Sequence, residues 1–136
     1  MKPARILLAD GNSSFLLGAM ASLSQLPQAE IVGCNAAAVE AIGQVDALSV
    51  DVLVLDADTL GPAGWQALRR LLARRGRPRV VITSDDLESH NCALARAAGV
   101  DVCLSKDELG HKMFPMVGAL QPPPETEEAR EVPGPS

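Results

Sequence analysis

Four residues with chemical potential stand where apolar runs stop. Asp10 follows "RILLA" (Arg5–Ala9), Asp56 follows "DVLVL" (Asp51–Leu55), Thr83 ends "RVVIT" (Arg79–Thr83), and Lys106 follows "VDVCLS" (Val100–Ser105). If they meet, two carboxylates, a hydroxyl and an ammonium share one place. A carboxylate there can act as a nucleophile or hold a cation, and the ammonium and hydroxyl can receive an oxyanion. Asp58 lies two residues beyond Asp56, ahead of Gly61-Pro62. Taken singly, each has a plainer explanation. Asp10 before Gly11-Asn12 reads as a strand-to-helix turn, Asp58 as a turn-forming acid, Ser84 to Asp86 as loop and helix cap, and Lys106 as a solvated strand-end lysine. What decides between the two is whether the surrounding elements bring these run ends together.

The elements alternate. Strands are expected at Arg5–Ala9, Glu30–Cys34, Asp51–Leu55, Arg79–Thr83 and Val100–Ser105. Helices are expected at Ser14–Leu26, with Asn12 or Ser13 as cap, at Ala37–Val45, at Gly64–Arg75 and at Ser89–Gly99. Gly76 and Pro78 stop the third helix. A last helix over Glu108–Leu120 is weakened by Gly110, Pro115 and Gly118. Five strands alternating with five helices predict a three-layer, doubly wound α/β domain with a five-stranded parallel sheet in order 2-1-3-4-5. Right-handed crossovers would then place all the strand ends on one edge, with Asp10, Asp56, Thr83 and Lys106 among them.

Composition agrees. The 136 residues are 47% hydrophobic but only 2% aromatic, so the core must be aliphatic, as suits a parallel sheet covered on both faces. Residues 1–120 read as one domain. Residues 121–136, rich in Pro and Glu and without periodicity, read as a disordered tail or linker. The tail carries −3 of the net charge of −5, which leaves a nearly balanced body and no electrostatic case for nucleic-acid binding. Arg69, Arg70, Arg74, Arg75, Arg77 and Arg79 hold half of the Lys and Arg, and read as a solvated face that complements a helix dipole. Cys34, Cys92 and Cys103 form no CxxC pair and read as reduced thiols, while His90 and His111 have no partner at metal-ligand spacing. Trp65, Met113, Phe114 and Met116 read as packing residues. No apolar run suits a signal peptide or a membrane span, so the expected compartment is the cytoplasm.

The residues from Ala4 to about Leu120 resemble the receiver domain of bacterial response regulators. "ILLADGN" resembles the first strand with its acidic pair, "VLVLDAD" the phosphoacceptor strand, "VVITSDD" the switch strand, and "CLSKDE" the strand that carries a lysine. The resemblance implies that Asp56 is the phosphoacceptor, Thr83 the switch hydroxyl and Lys106 the phosphoryl contact. It further implies that Asp10, Asp56 and Asp58 face a Mg²⁺ ion. The domain would be a signalling module and not an enzyme. Its implied partners are a sensor histidine kinase and a downstream protein, with self-association through the fourth helix, fifth strand and fifth helix.

The departures from the family pattern are specific. Gly11 stands where the second acid of the pair is expected, so the Mg²⁺ site should be weak or absent. Cys103 replaces the aromatic three residues before the lysine, and Leu60 replaces a proline. The family's frequent helix-turn-helix output segment has no counterpart in this sequence. An alternative is a degenerate receiver that is never phosphorylated and serves only as a protein-interaction module. A flavodoxin-like small-molecule binder fits less well, because "DGNSS" offers no glycine-rich phosphate cradle and aromatics are scarce.

Overall fold

A computed structural model of the protein describes residues 2–109. Apolar runs bounded by turn residues become five strands, β1 (Ala4–Ala9), β2 (Ala29–Asn35), β3 (Val52–Asp56), β4 (Arg79–Ser84) and β5 (Val102–Ser105). Between them lie α1 (Ser13–Leu23), α2 (Ala38–Gly43), α3 (Gly61–Leu72) and α4 (His90–Ala98), with 3-10 turns at Ala57–Thr59 and Lys106–Glu108. The sheet is parallel throughout, in order β2-β1-β3-β4-β5. This is the three-layer α/β architecture expected from the alternation. Four α-helices occur among the described residues. The body of the expected fifth helix, with Gly110, Pro115 and Gly118, lies outside them, as do His111, Met113, Phe114, Met116 and the tail.

Both sheet faces are covered, which explains the unbroken apolar runs. Leu7, Leu53, Leu55, Val80 and Ile82 pack with Ala38, Ala41, Leu68, Leu71 and Ala95 of α2, α3 and α4. Ile6, Leu8, Val52, Val54 and Val81 pack on the other face with Ala19 and Leu23 of α1 and with Leu109. Trp65 is partly buried against the first of these clusters.

The register between β1 and β2 shifts between Ile6 and Leu7, so that Ile6 pairs with Ile31 but Leu7 with Gly33. A Cβ at Gly33 would lie 2.9 Å from Leu7 Cδ1, so any side chain there would push the end of the Leu7 side chain aside. Elsewhere the chain ends its elements conventionally. Asn12 caps α1 and Ser89 caps α4 by accepting backbone N–H groups, and Gly99 closes α4 in the left-handed region at φ 100°.

The third helix differs from expectation. It begins at Gly61 instead of Gly64 and stops at Leu72 instead of Arg75. Pro62 is the reason for the early start: in the first turn a proline lacks only an N–H that would be unpaired anyway, so Gly61-Pro62 opens the helix instead of forming a turn before it. No helix among the described residues is long and apolar enough to cross a membrane.

Candidate functional site

The carboxyl ends of β1 and β3 place Asp10 and Asp56 side by side, because Ala9 pairs with Leu55 one residue before each. Both acids are buried, at 2% and 4% exposure. Lys106 opens the 3-10 turn after β5 and returns over the sheet edge. Its Nζ lies 2.8 Å from Asp10 Oδ2 and 3.5 Å from Asp56 Oδ1, and its side chain is only 15% exposed. The structure therefore brings three of the sequence-predicted residues into one ion-paired cluster. An uncompensated charge in such a place would be costly, and the single ammonium offsets part of that cost for the two carboxylates.

Each acid also organises its own turn. Asp10 Oδ1 accepts the Asn12 N–H at 2.8 Å, while the Asp10 N–H donates to the Asn35 carbonyl at 3.0 Å. Asp10 Oδ2 is buried and takes the Lys106 ammonium, 2.8 Å away, as its ion-pair partner. Asp56 Oδ1 accepts the Asp58 N–H at 3.4 Å, and the Asp56 carbonyl accepts the Thr59 hydroxyl at 2.9 Å. Burial, and next the charge of Asp10, push the Asp56 carboxyl above its ordinary 3.8, and Lys106 pulls it back only in part. For Lys106, burial favours the neutral amine. The bond to Asp10 and the charges of Asp56, Asp10 and Asp85 outweigh it, and the ammonium is held above its ordinary 10.5.

Thr83 pairs in register with Asp56 across β3 and β4 and is 1% exposed. Its hydroxyl donates to the Leu55 carbonyl at a long 3.4 Å, and no hydrogen bond joins it to Asp56. Asp58 is different. It is exposed, and its Oδ1 accepts from Asn91 Nδ2 of α4 at 3.0 Å. Sequence reasoning missed Asn91, and it also missed Phe15, whose ring centroid is 5.1 Å from Lys106 Nζ. Both contacts are long-range in sequence and leave no local pattern. Cys103 lies half-buried in β5 at the place where the family pattern has an aromatic.

As arranged, the donor set does not fit a tightly held hard cation. A divalent ion of this kind needs several oxygens, but Asp10 Oδ2 is engaged by Lys106, Asp58 by Asn91, and Gly11 offers no side-chain oxygen. Among the described residues no three His, Cys, Asp or Glu side chains form a metal-binding group. Glycine at position 11 is not a steric necessity, because a Cβ there would make only ordinary contact, 3.6 Å from Thr59 Cγ2.

Comparison with solved structures decides the fold. The protein superposes with a TM-score of 0.77 on the signal receiver domain of the response regulator NarL from Mycobacterium tuberculosis, covering 88% of this chain and 96% of that one at 23% identity. The fold is that of a response-regulator receiver domain. The receiver fold is matched again by the response regulator domain of Thermotoga maritima CheB, with TM-score 0.74, 15% identity and coverage of 88% and 96%. It is matched also by a chain from the complex of the CheA3 P1 domain with CheY6 from R. sphaeroides, with TM-score 0.73, 22% identity and coverage of 88% and 98%. By sequence, 85 residues are 34% identical to protein-glutamate methylesterase/protein-glutamine glutaminase 3 of Anaeromyxobacter dehalogenans (strain 2CP-C). That match takes in 62% of this receiver-fold chain but only 25% of the relative's length. No family model matches the sequence.

Proposed function

We propose that the domain is a signalling receiver that accepts a phosphoryl group on Asp56 and acts through protein partners, with no enzymatic activity of its own on a separate substrate. The observation that carries this reading is the placement of a buried carboxylate held above its ordinary pKa, Asp56, with an ammonium 3.5 Å away at the same sheet edge. In the proposed step an Asp56 oxygen attacks the phosphorus of an N-phosphoryl imidazole on a sensor histidine kinase. The P–O bond forms as the P–N bond breaks, and the imidazole leaves with the electron pair and takes up a proton. Lys106 balances charge on the phosphoryl oxygens. Thr83 can exchange its long bond to Leu55 for one to a phosphoryl oxygen.

With Cys103 in place of an aromatic relay, the partner-binding surface works mainly in its resting form, and phosphorylation modulates it modestly. Self-association through α4, β5 and the segment that follows belongs to the same proposal, as does a cytoplasmic location. The test is incubation with Mg²⁺ and a small phosphodonor, followed by intact mass measurement. Wild type should gain one phosphoryl group and Asp56→Ala none. No gain in wild type, or an equal gain in Asp56→Ala, overturns the reading.

The crowded donor set favours a second version for the resting pocket, a module that binds partners without phosphorylation. Mg²⁺ separates the two. Affinity should be on the order of millimolar or weaker in wild type, and Gly11→Asp should raise it roughly tenfold or more by supplying a carboxylate. Calorimetry showing tight binding to wild type would mean that another oxygen replaces the missing ligand.

A further inference from the structure

The pocket is walled by a closed circuit of contacts. Asp10 Oδ1 accepts the Asn12 N–H at 2.8 Å, which fixes the turn into α1. Asn12 Oδ1 accepts the Phe15 N–H at 3.1 Å, which fixes the first turn of the helix. Phe15 places its ring over Lys106 Nζ at 5.1 Å, and Lys106 returns to Asp10 Oδ2 at 2.8 Å. The segment Asp10–Phe15 thus supplies an anion to one side of the ammonium and a π face to another. Asp56 completes the surround at 3.5 Å.

We infer that Phe15 is a positioning residue for Lys106, holding the ammonium between Asp10 and Asp56 as the pocket's resident cation. A ring face attracts a cation through its quadrupole, and does so more strongly once water is thinned out. Lys106 has a flexible four-carbon stem, which the two ion pairs and the ring face restrain together. With no carboxylate at position 11 to recruit a metal, Lys106 is the cation that faces the acceptor among the described residues, and its placement matters correspondingly. Phe15 is also partly buried against the core beneath α1, so packing is the competing explanation. Packing is served by any side chain of similar bulk, whereas holding a cation requires the aromatic face.

The contrast between Phe15→Leu and Phe15→Tyr separates the two, because leucine keeps an apolar side chain, though a smaller one, and only tyrosine keeps the ring. The primary readout is solvent exchange of the Lys106 ammonium protons by ¹⁵N-edited NMR on the full chain without metal or phosphodonor. Exchange should quicken roughly fivefold in Phe15→Leu and stay within about twofold of wild type in Phe15→Tyr, in proportion to a single cation–π contact. Equal exchange in wild type and Phe15→Leu overturns the inference, as does a wild-type ammonium that exchanges too fast to observe.

The functional half of the inference rests on the phosphoacceptor reading and has its own arm, the rate of Asp56 phosphorylation by a small phosphodonor. That rate should fall in Phe15→Leu and hold in Phe15→Tyr. If exchange responds but no protein is phosphorylated, Phe15 holds the lysine and the phosphoacceptor reading fails. If wild type is phosphorylated and exchange ignores Phe15→Leu, the reverse is true.

Discussion

Asp56 and Asp101 are the same side chain at opposite ends of one sheet, and the fold treats them oppositely. At the carboxyl edge, Asp56 shares its surroundings with a second buried acid, and burial with Asp10's charge raises its carboxyl above 3.8. At the amino edge, Asp101 precedes β5 and is also partly buried, which by itself would raise its carboxyl. Arg77 at 2.7 Å, the Val80 N–H at 2.8 Å and Arg79 at 3.6 Å more than offset this, and the carboxyl is held below 3.8. Asp51 plays a related part there, accepting the Arg5 N–H at 2.9 Å. The amino edge uses acids to fasten strand starts. The carboxyl edge keeps an acid short of partners, the environment that the proposed phosphoacceptor role calls for.

The sharpest way to break this contrast is to remove the shared cation. Lys106→Met should leave two buried carboxylates unpaired and cost about 3 kcal/mol at neutral pH, read by urea unfolding. The loss should shrink in acid, where protonated carboxyls no longer need the lysine. A neutral-pH loss near zero would mean that the acids are relieved by water instead.

Asp101→Asn attacks the other edge. It keeps an acceptor for Val80 but discards the charge that faces Arg77 and Arg79, at a cost of about 1–2 kcal/mol. The sign with pH follows from the lowered carboxyl. Asp101 contributes fully above its unfolded value of 3.8, and the contribution is lost as pH falls from there through its lower folded value. The variant should therefore lose less stability than wild type in strong acid.

Asp56→Asn should do the reverse and stabilise the fold, by about 1 kcal/mol, since it removes a charge that burial and Asp10 disfavour. Wild type should lose stability as pH rises from 3.8 through the higher folded value of Asp56, and the variant should be nearly flat over that interval. Unfolding curves at several pH values check the slope. A destabilised Asp56→Asn would show that its bond to Lys106 outweighs its repulsion from Asp10.

The contrast also bears on what the sequence can reveal. The five strands were legible because a strand buried on both faces writes itself as an apolar run, and the parallel order then carries Asp10 and Asp56 to one edge. Asn12 was legible as a cap and Gly99 as a helix end because capping is local, whereas Ser89, read as the first residue of its helix, is the cap of α4. The start of α3 was not, since Gly61-Pro62 serves equally as a turn or as a helix opening until Leu60 and Gly64 are packed. Phe15 and Asn91 were invisible for a different reason. Phe15 reaches across 91 positions to Lys106, and Asn91 across 33 to Asp58, so only the assembled fold defines either contact. Asp101 announced nothing, because its three partners assemble only once β4 and β5 pair.

β2 uses seven residues to run beside the six of β1, and the surplus falls at the register shift before Gly33. β2 is also an outer strand of the sheet, with one row of backbone donors and acceptors facing away from β1. A regular outer strand is a template on which a second chain can add itself edge to edge. The surplus residue shifts the register with β1, and an irregularity of this kind makes an outer strand a poorer template for a straight incoming strand. At the opposite margin β5 is only four residues long, which gives an incoming strand little to grip. The irregularity beside Gly33 is therefore of the kind that discourages one sheet from extending into another.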